Sequence, residues 1–272
     1  MEQPSITLNS GYRLPLMGVG SYKLPPEVTQ QVVEAALGLG YRHIDTARLY
    51  GNEAQVGAAI KAVGLPREEL YVTTKLWNDA HRRQDAMQAF DQSLEWLGLD
   101  YVDLYLIHWP VPRQGLTVEA WRTLIEIHQT GLARSIGVSN FRAEDLAKII
   151  KATSVVPVVN QIELHPAFQQ SELRQIHAEL GIATEAWSPL ARGAALVLPE
   201  VRHVAQAVGH SPAQVIIRWL IQQGIAVFPK SAHPSRLAEN LAVFDFELSD
   251  TQMATMAAVP QTGRAFSDPS VV

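Results

Sequence analysis

The sequence predicts an α/β fold, a (β/α)8 or TIM barrel, and three observations support that prediction. Short apolar stretches alternate with longer segments of helical apolar spacing along most of the chain. Such alternation is typical of parallel strands joined by helical crossovers. Eight such units in about 220 residues favour a closed barrel over an open doubly wound sheet, and a chain of 272 residues suits one barrel. We therefore expect residues 1–272 to form a single domain.

The elements are expected to begin with a β-hairpin, because residues 5–8 and 12–16 are extended stretches around the turn signal Asn9-Ser10-Gly11. Eight strands should follow, at residues 17–20, 42–45, 70–75, 102–107, 134–138, 158–162, 182–187 and 225–228. Seven segments with helical spacing lie at residues 27–39, 53–63, 84–97, 117–130, 143–151, 170–180 and 211–222. Several of them begin at Pro and end at Gly, which are preferred at those positions.

Three stretches exceed this repeat. Residues 189–209 are long enough for a loop and an extra helix, and residues 233–242 for a second extra helix after the last strand. A helix from residue 249 should precede a C-terminal tail that ends in residues 263–270. Additions of this kind commonly shape ligand sites in barrels.

Composition excludes several classes of protein. A formal charge of −5 without a long basic run argues against nucleic-acid binding. No apolar run approaches the ~20 residues that a membrane helix needs, and the first six residues do not resemble a secretion signal, which favours a cytoplasmic protein. The sequence has no cysteine, which excludes disulfides and thiolate chemistry, and it lacks HxxxH and HExxH metal motifs.

Four groups suited to proton chemistry lie at or just after the ends of three successive predicted strands: Asp45, Tyr50, Lys75 and His108. The carboxyl ends of barrel strands converge at one face, where barrel enzymes keep their chemistry. A phenol has a pKa of about 10, so a tyrosine that works near neutral pH needs a cation such as Lys75 beside it. The alternative is a structural buried ion pair between Lys75 and Asp45, which leaves the neighbouring Tyr50 unexplained.

These residues lie in the motifs DTAxxYGNE, TTKLWN and DLYLIHWP. The motifs resemble the catalytic tetrad of the aldo-keto reductases, nearest to the bacterial 2,5-diketo-D-gluconate reductases, and the resemblance covers nearly the whole chain. It implies hydride transfer from NADPH to a carbonyl carbon, with Tyr50 protonating the oxygen. Lys75 would lower the pKa of Tyr50, Asp45 would orient Lys75, and His108 would donate a hydrogen bond to the carbonyl. The family habit also implies a monomer.

The cofactor site follows from the same resemblance, because the stretch from Gly18 to Lys23 is only a partial GxGxxG motif. The residues that match the nicotinamide contacts are Ser139, Asn140 and Gln161 for the carboxamide and Trp187 for the ring. Those that match the phosphate and adenine contacts are Ser188, Leu190, Gly193, Lys230, Ser231, Arg236, Glu239 and Asn240. A lysine and an arginine beside a helix start suit a 2′-phosphate, so NADPH is expected over NADH. An ordinary basic helix cap is the alternative.

The substrate pocket is expected, by resemblance, to be lined by Tyr22, Leu49, Trp77, His108 and Trp109. The same resemblance implies that the C-terminal tail lies over the barrel mouth and closes one side of the pocket. Such a wall suits small ketones, aldehydes or sugar-like carbonyls. The favoured substrate is 2,5-diketo-D-gluconate or a similar small α-dicarbonyl. A broad aldehyde or methylglyoxal reductase and a non-catalytic NADPH-binding barrel remain as alternatives.

Arg48 departs from the family motif, where a small or uncharged residue is usual. One hypothesis is that it reaches the barrel mouth and attracts an anionic substrate. The favoured interpretation is a solvated side chain that points away from Leu49.

Overall fold

The chain opens with the predicted hairpin, in a computed structural model that describes residues 3–272. Strand β1 (Ser5–Thr7) pairs antiparallel with β2 (Arg13–Pro15). The side chain of Asn9 in the turn donates hydrogen bonds to the carbonyl oxygens of Pro157 and Gly181, both at 3.2 Å. These two carbonyls precede barrel strands, so the hairpin lies against the amino ends of the strands, opposite the catalytic face of a barrel.

A parallel sheet of eight strands follows, and its strands neighbour one another in chain order. They are β3 (Gly18–Gly20), β4 (His43–Asp45), β5 (Tyr71–Leu76), β6 (Val102–Ile107), β7 (Ala133–Ser139), β8 (Val159–Glu163), β9 (Ala183–Trp187) and β10 (Ala226–Val227). Each lies within a residue or two of its predicted position. Every residue of β3, β4, β5, β6 and β8 is buried, as expected for parallel strands covered on both faces.

The sheet closes on itself between its first and last strands. Met17, beside β3, forms a parallel bridge with Val227 in β10. The backbone N–H of Val227 donates to the carbonyl oxygen of Leu16 at 2.9 Å. The fold is therefore the predicted (β/α)8 barrel, because closure removes the free edges of the sheet.

Ten helices surround the strands or follow them in the described part of the chain. They are α1 (Pro26–Leu39), α2 (Glu53–Val63), α3 (Arg83–Leu97), α4 (Thr117–Gln129), α5 (Ala143–Thr153), α6 (Ser171–Leu180), α7 (Pro199–Val208), α8 (Pro212–Ile221), α9 (Pro234–Leu241) and α10 (Asp250–Ala257). The two extra helices predicted from the sequence are α7 and α9, and α10 leads into the tail. Within residues 3–272, no helix has the length and apolar content to cross a membrane.

The outer helices approach one another closely where the sequence has glycine. A Cβ added to Gly57 in α2 would lie 2.3 Å from the carbonyl oxygen of Leu97, at the end of α3. Gly38 in α1 is also helical, but a Cβ there would meet nothing within 4 Å. Gly57 is thus needed for the contact between two neighbouring helices, whereas Gly38 is not.

Candidate active site

A cavity of about 640 Å³ lies at the mouth of the barrel. The carboxyl ends of the strands form its floor, and the C-terminal tail contributes Phe266, Ser267 and Val272 to its wall. The tail therefore covers the mouth, as the sequence predicted. Most of the predicted site residues line this cavity, namely Tyr22, Asp45, Leu49, Tyr50, Trp77, His108, Trp109, Ser139, Asn140, Gln161, Trp187, Ser188, Leu190, Gly193, Lys230 and Arg236.

Four of the predicted site residues lie outside the lining. Lys75 is fully buried below the floor. Ser231 is buried, and its hydroxyl accepts a hydrogen bond from the N–H of His233 at 3.0 Å, just before α9. Asn240 in α9 is buried, whereas Glu239 is exposed.

Lys75 and Asp45 form a buried ion pair at the ends of β5 and β4. The Lys75 Nζ donates to both carboxylate oxygens of Asp45, at 2.7 and 2.8 Å, and to the carbonyl oxygen of Thr46 at 2.9 Å. The strands are direct neighbours in the sheet, so parallel pairing brings residues 30 positions apart into contact. All three ammonium protons have acceptors, which a buried lysine requires.

Tyr50 ends a short helical turn, Arg48–Tyr50, that follows β4. The Lys75 Nζ lies 5.3 Å from the centre of its ring, and the rings of Tyr22 and His108 lie 5.0 and 5.8 Å away. Burial, the charge of Asp45 and the neighbouring Tyr22 raise the pKa of Tyr50 well above its ordinary value of 10. Burial is the largest of these causes, and the carboxylate that holds Lys75 acts on the phenol as well, so the net shift is upward. The lowering effect expected of Lys75 stays a prediction.

His108 follows β6 and contacts Trp77 edge to face, with ring centres 5.0 Å apart. Burial and then the charge of Lys75 lower the pKa of His108 well below 6.5. Its imidazole is therefore neutral at physiological pH and carries one N–H. Nδ1 is buried without a hydrogen-bond partner among residues 3–272.

A polar network forms the floor beside the ion pair. Asn140 has a left-handed backbone (φ 64°), which asparagine tolerates better than most residues. Its Nδ2 donates to the backbone oxygen of His108 at 2.9 Å and to the Ser139 hydroxyl at 3.0 Å. Its Oδ1 accepts from the indole Nε1 of Trp187 at 2.9 Å. The network fixes the Trp187 ring at the edge of the cavity.

Gln161 in β8 joins this floor to the ion pair. Its Nε2 donates to Asp45 Oδ2 and to Glu185 Oε2, both at 2.8 Å. Its Oε1 has no hydrogen-bond partner among the described residues, and Gln161 is part of the cavity lining. An unpartnered amide oxygen at a cavity floor fits a ligand that offers an N–H group, such as a carboxamide.

Lys230 and Arg236 line the same cavity near the start of α9. The helix begins at Pro234, so its unpaired backbone N–H groups are close in sequence to both cations. Two cations beside a helix amino end can hold a phosphate group.

Arg48 does not line the cavity, so it is not directed at the mouth. Its guanidinium forms an ion pair with Asp79, with 2.9 Å between Nη1 and Oδ1, and its side chain is 28% exposed. It is therefore partly solvated, as the favoured interpretation has it, but the ion pair was not expected. Asp79 lies in the turn after β5, and the proximity of that turn to residue 48 depends on strand order.

Some residues of the cavity were missed at the level of sequence. Phe266 lies edge to face on Trp187 at 4.9 Å, and the guanidinium of Arg192 lies 4.1 Å from its ring centre. Lys23 also lines the cavity, at the end of the partial glycine motif. The tail and the long loop were expected near the mouth, but single residues in irregular segments carry no periodic signal.

Groups of three or more side chains able to hold a metal ion are not found within residues 3–272. One cavity instead brings together the polar floor, the ion pair and the two cations that could bind a phosphate group. That arrangement is suited to a large organic cofactor with a carboxamide at one end and phosphate at the other.

The family model described as the Aldo/keto reductase family matches residues 16–260. This chain belongs to the aldo/keto reductase family. An aldo-keto reductase from Mycobacterium sp. (strain JLS) is 49% identical over 269 residues, which are 99% of this chain and 98% of that protein. A methylglyoxal reductase, DkgA, from Yersinia pestis is 46% identical over 271 residues, which are 99% of this chain and 97% of that protein.

Solved structures agree with this assignment. The Gox0644 protein, in a mutant form in complex with NADPH, superposes with a TM-score of 0.96 at 44% identity and covers 100% of this chain and 99% of its own. A Bombyx mori aldo-keto reductase in complex with NADP gives a TM-score of 0.90 at 37% identity, with coverage of 98% and 96%. This aldo-keto reductase is an NADPH-dependent oxidoreductase that reduces carbonyl groups.

Proposed function

We propose that this aldo-keto reductase reduces small α-dicarbonyl compounds, with 2,5-diketo-D-gluconate as the favoured substrate. The observation that supports this proposal best is the convergence of Asp45, Tyr50, Lys75 and His108 below an aromatic-walled cavity of about 640 Å³. A cavity of this size suits a cofactor end and a small substrate rather than a bulky one. Methylglyoxal is the second candidate, because the 46% identical relative is named a methylglyoxal reductase.

Tyr50 is the proposed proton donor. NADPH supplies a hydride to the carbonyl carbon when it is bound. Tyr50 transfers its hydroxyl proton to the carbonyl oxygen as negative charge develops there. The raised pKa of Tyr50 keeps the phenol protonated until then. The phenolate left behind lies next to the Lys75 cation, which stabilises it until solvent returns the proton.

His108 is proposed to orient the carbonyl. A neutral imidazole can donate one N–H to the carbonyl oxygen, and its buried Nδ1 leaves Nε2 as the nitrogen that faces the cavity. A fixed donor of this kind stabilises charge on the oxygen without moving a proton. Lys75 and Asp45 act on the reaction through Tyr50.

The cofactor contacts are proposed along the length of the cavity. Ser139, Asn140 and Gln161 would hold the nicotinamide carboxamide, and Trp187 would stack on its ring. Lys230 and Arg236 would bind the adenosine 2′-phosphate. The remaining proposed contacts, to the pyrophosphate, the 2′-phosphate and the adenine, are Ser188, Leu190, Gly193, Ser231, Glu239 and Asn240.

The substrate wall is proposed to consist of Tyr22, Leu49, Trp77 and Trp109, all of which line the cavity. Two indoles and a phenol offer stacking surface with few polar atoms. Arg48 is paired with Asp79 and is not available to an anionic substrate. Lys23 and Arg192 are the cations of the lining that a substrate carboxylate could meet.

The test is NADPH consumption by wild type and Tyr50→Phe with 2,5-diketo-D-gluconate, methylglyoxal and a neutral aromatic aldehyde. We expect the sugar acid to give the highest kcat/KM with wild type. Loss of the proton donor should lower kcat at least 100-fold for all three substrates, within the range of general acid catalysis. Tyr12→Phe is the matched control, because Tyr12 is exposed on the hairpin at the opposite end of the barrel.

Each outcome of this test selects one function. Highest kcat/KM with methylglyoxal would replace the favoured substrate by the second candidate, and highest kcat/KM with the aromatic aldehyde would favour a broad aldehyde reductase. NADPH binding without consumption of any carbonyl would favour the non-catalytic barrel and contradict the proposal.

A further inference from the structure

The amide group of Gln161 lies between two carboxyl groups. Its Nε2 donates one hydrogen to Asp45 and the other to Glu185, each at 2.8 Å. An amide nitrogen has two hydrogens, so both are used. Asp45 Oδ2 and Glu185 Oε2 are the acceptors, and a proton on Glu185 belongs on Oε1, the oxygen without a partner. The reversed amide would place its oxygen against both acceptors, which is unfavourable. The two carboxyl groups therefore determine that Oε1, an acceptor, is the free polar atom of Gln161.

Asp45 alone is insufficient to fix that orientation. Its Oδ2 accepts one amide hydrogen of Gln161 in addition to a hydrogen bond from Lys75, but the second amide hydrogen needs another acceptor. Without Glu185, the second amide hydrogen would lose its acceptor in a buried floor, which is unfavourable for any buried polar group. Rotation of the amide would then compete with the observed orientation.

Glu185 has no role in the proposed proton chemistry. It is fully buried at the centre of β9, opposite Gln161 in the register of β8 and β9. No cation within 4.0 Å pairs with it in the described part of the chain, and its Oε1 is buried without a partner.

Stability does not explain an acid at this position. Burial, and then the charge of Asp45, raise the pKa of Glu185 from 4.5 to about 8. The folded protein therefore binds this proton more tightly than the unfolded chain does. By linkage, the contribution of Glu185 to folding stability falls as the pH rises from about 4.5 to about 8. At neutral pH the side chain is thus mostly protonated and uncharged, and an apolar side chain of similar shape would avoid the cost of burying its polar atoms.

We propose that Glu185 is a positioning residue for the cofactor, which locks Gln161 so that its Oε1 accepts a hydrogen bond from the carboxamide NH2 of NADPH. This inference rests on the proposed contact between Gln161 and the carboxamide. It goes beyond that contact because it gives a role to a buried acid that does not touch the cofactor. Glu185 would make the site select an amide over other substituents on the nicotinamide ring.

The test compares binding of NADP+ with binding of its 3-acetylpyridine analogue, in which a methyl group replaces the amide NH2. Dissociation constants come from quenching of protein fluorescence, which requires no carbonyl substrate. Wild type should prefer NADP+ by about 10-fold, the worth of one hydrogen bond at a desolvated site. Glu185→Leu should bind NADP+ more weakly and lose the preference, with a ratio below about 2.

Three variants act as controls. Glu185→Gln keeps an oxygen that can accept from Gln161, so it should retain most of the preference. Tyr71→Phe removes a buried hydroxyl that has no hydrogen-bond partner among the described residues. This variant should leave both dissociation constants unchanged. Glu185→Met, a flexible apolar replacement, gives the same test if Glu185→Leu does not fold.

The variant Gln161→Leu separates the proposed contact between Gln161 and the carboxamide from the proposed role of Glu185. If Gln161→Leu abolishes the preference while Glu185→Leu and Glu185→Met retain it, Glu185 does not position the amide and the inference fails alone. If Gln161→Leu itself keeps the preference, the proposed carboxamide contact is wrong, and the inference falls with it.

Discussion

Individual residues in the floor of this site depend on one another in different ways. Lys75 is wholly buried, and all three of its protons are accepted by Asp45 and Thr46. Removal of either charge would leave the other buried and unpaired, which is strongly unfavourable. Each charge of the pair is thus needed for stability as long as the other is present, whereas the proposed effect of Lys75 on Tyr50 concerns chemistry alone.

Lys75→Met separates these two effects. We expect the free energy of unfolding to fall by about 3–5 kcal/mol, because the Asp45 carboxylate remains buried without its cation. Urea denaturation measures that loss, and NADPH consumption should fall at least about 100-fold in parallel.

The double variant Asp45→Asn/Lys75→Met is the control. It removes both charges, so most of the stability should return while activity stays low. A double variant with near wild-type turnover would contradict the proposed role of Lys75.

At the scale of elements, helix packing depends on one position. The end of α3 lies against α2 at Gly57, where a Cβ would come within 2.3 Å of a backbone oxygen and 2.6 Å of a backbone carbon of Leu97. Backbone atoms at a helix end cannot move aside as a flexible side chain can. At this position helix propensity favours alanine over glycine, whereas packing against Leu97 leaves no room for a Cβ. Packing therefore decides that the residue is glycine.

Gly57→Ala should lower the free energy of unfolding by about 2–3 kcal/mol, as overpacking of a tight contact does. Gly38→Ala is the matched control, in an exposed part of α1 with nothing within 4 Å of the added Cβ. That change should raise stability by about 0.5–1 kcal/mol, because alanine favours helix over glycine. Thermal melts of both variants distinguish the outcomes, and equal effects at the two positions would refute the packing argument.

At the scale of the whole molecule, the tail completes the cavity from outside the barrel. Glu163 in β8 anchors it, since Glu163 Oε1 accepts from the N–H of Ala265 at 2.6 Å. Phe266 then reaches Trp187 on one side and Arg192 of the long loop on the other. The tail thus links the strand end where the nicotinamide is proposed to bind with the loop proposed to lie over the pyrophosphate.

Phe266→Ala should raise the KM for a small carbonyl substrate several-fold, because it opens one wall of the cavity. The melting temperature should change little, since the side chain is only half-buried. Val271→Ala is the control in the same tail, where the side chain is 71% exposed and outside the cavity lining. Steady-state kinetics at saturating NADPH measure the effect, and an unchanged KM would show that the tail does not contact substrate.

The order of the elements could be predicted from the sequence because its signals are local. Apolar runs, helical spacing and glycines after helices depend on residues a few positions apart. The convergence of Asp45, Lys75 and His108 also followed, since the ends of consecutive parallel strands meet at one face. The single-domain organisation, the monomeric state and the roles of individual site residues stay predictions.

The sequence by itself determined the barrel, the face that carries the chemistry and the residue types that meet there. Only the tertiary structure decided that Arg48 pairs with Asp79, that the pKa of Tyr50 is raised, and that Glu185 faces Gln161. These outcomes depend on distances of a few ångströms and on burial between residues far apart in the chain. Hydrogen bonds and charge interactions change steeply over such distances, and no local pattern of residues encodes them.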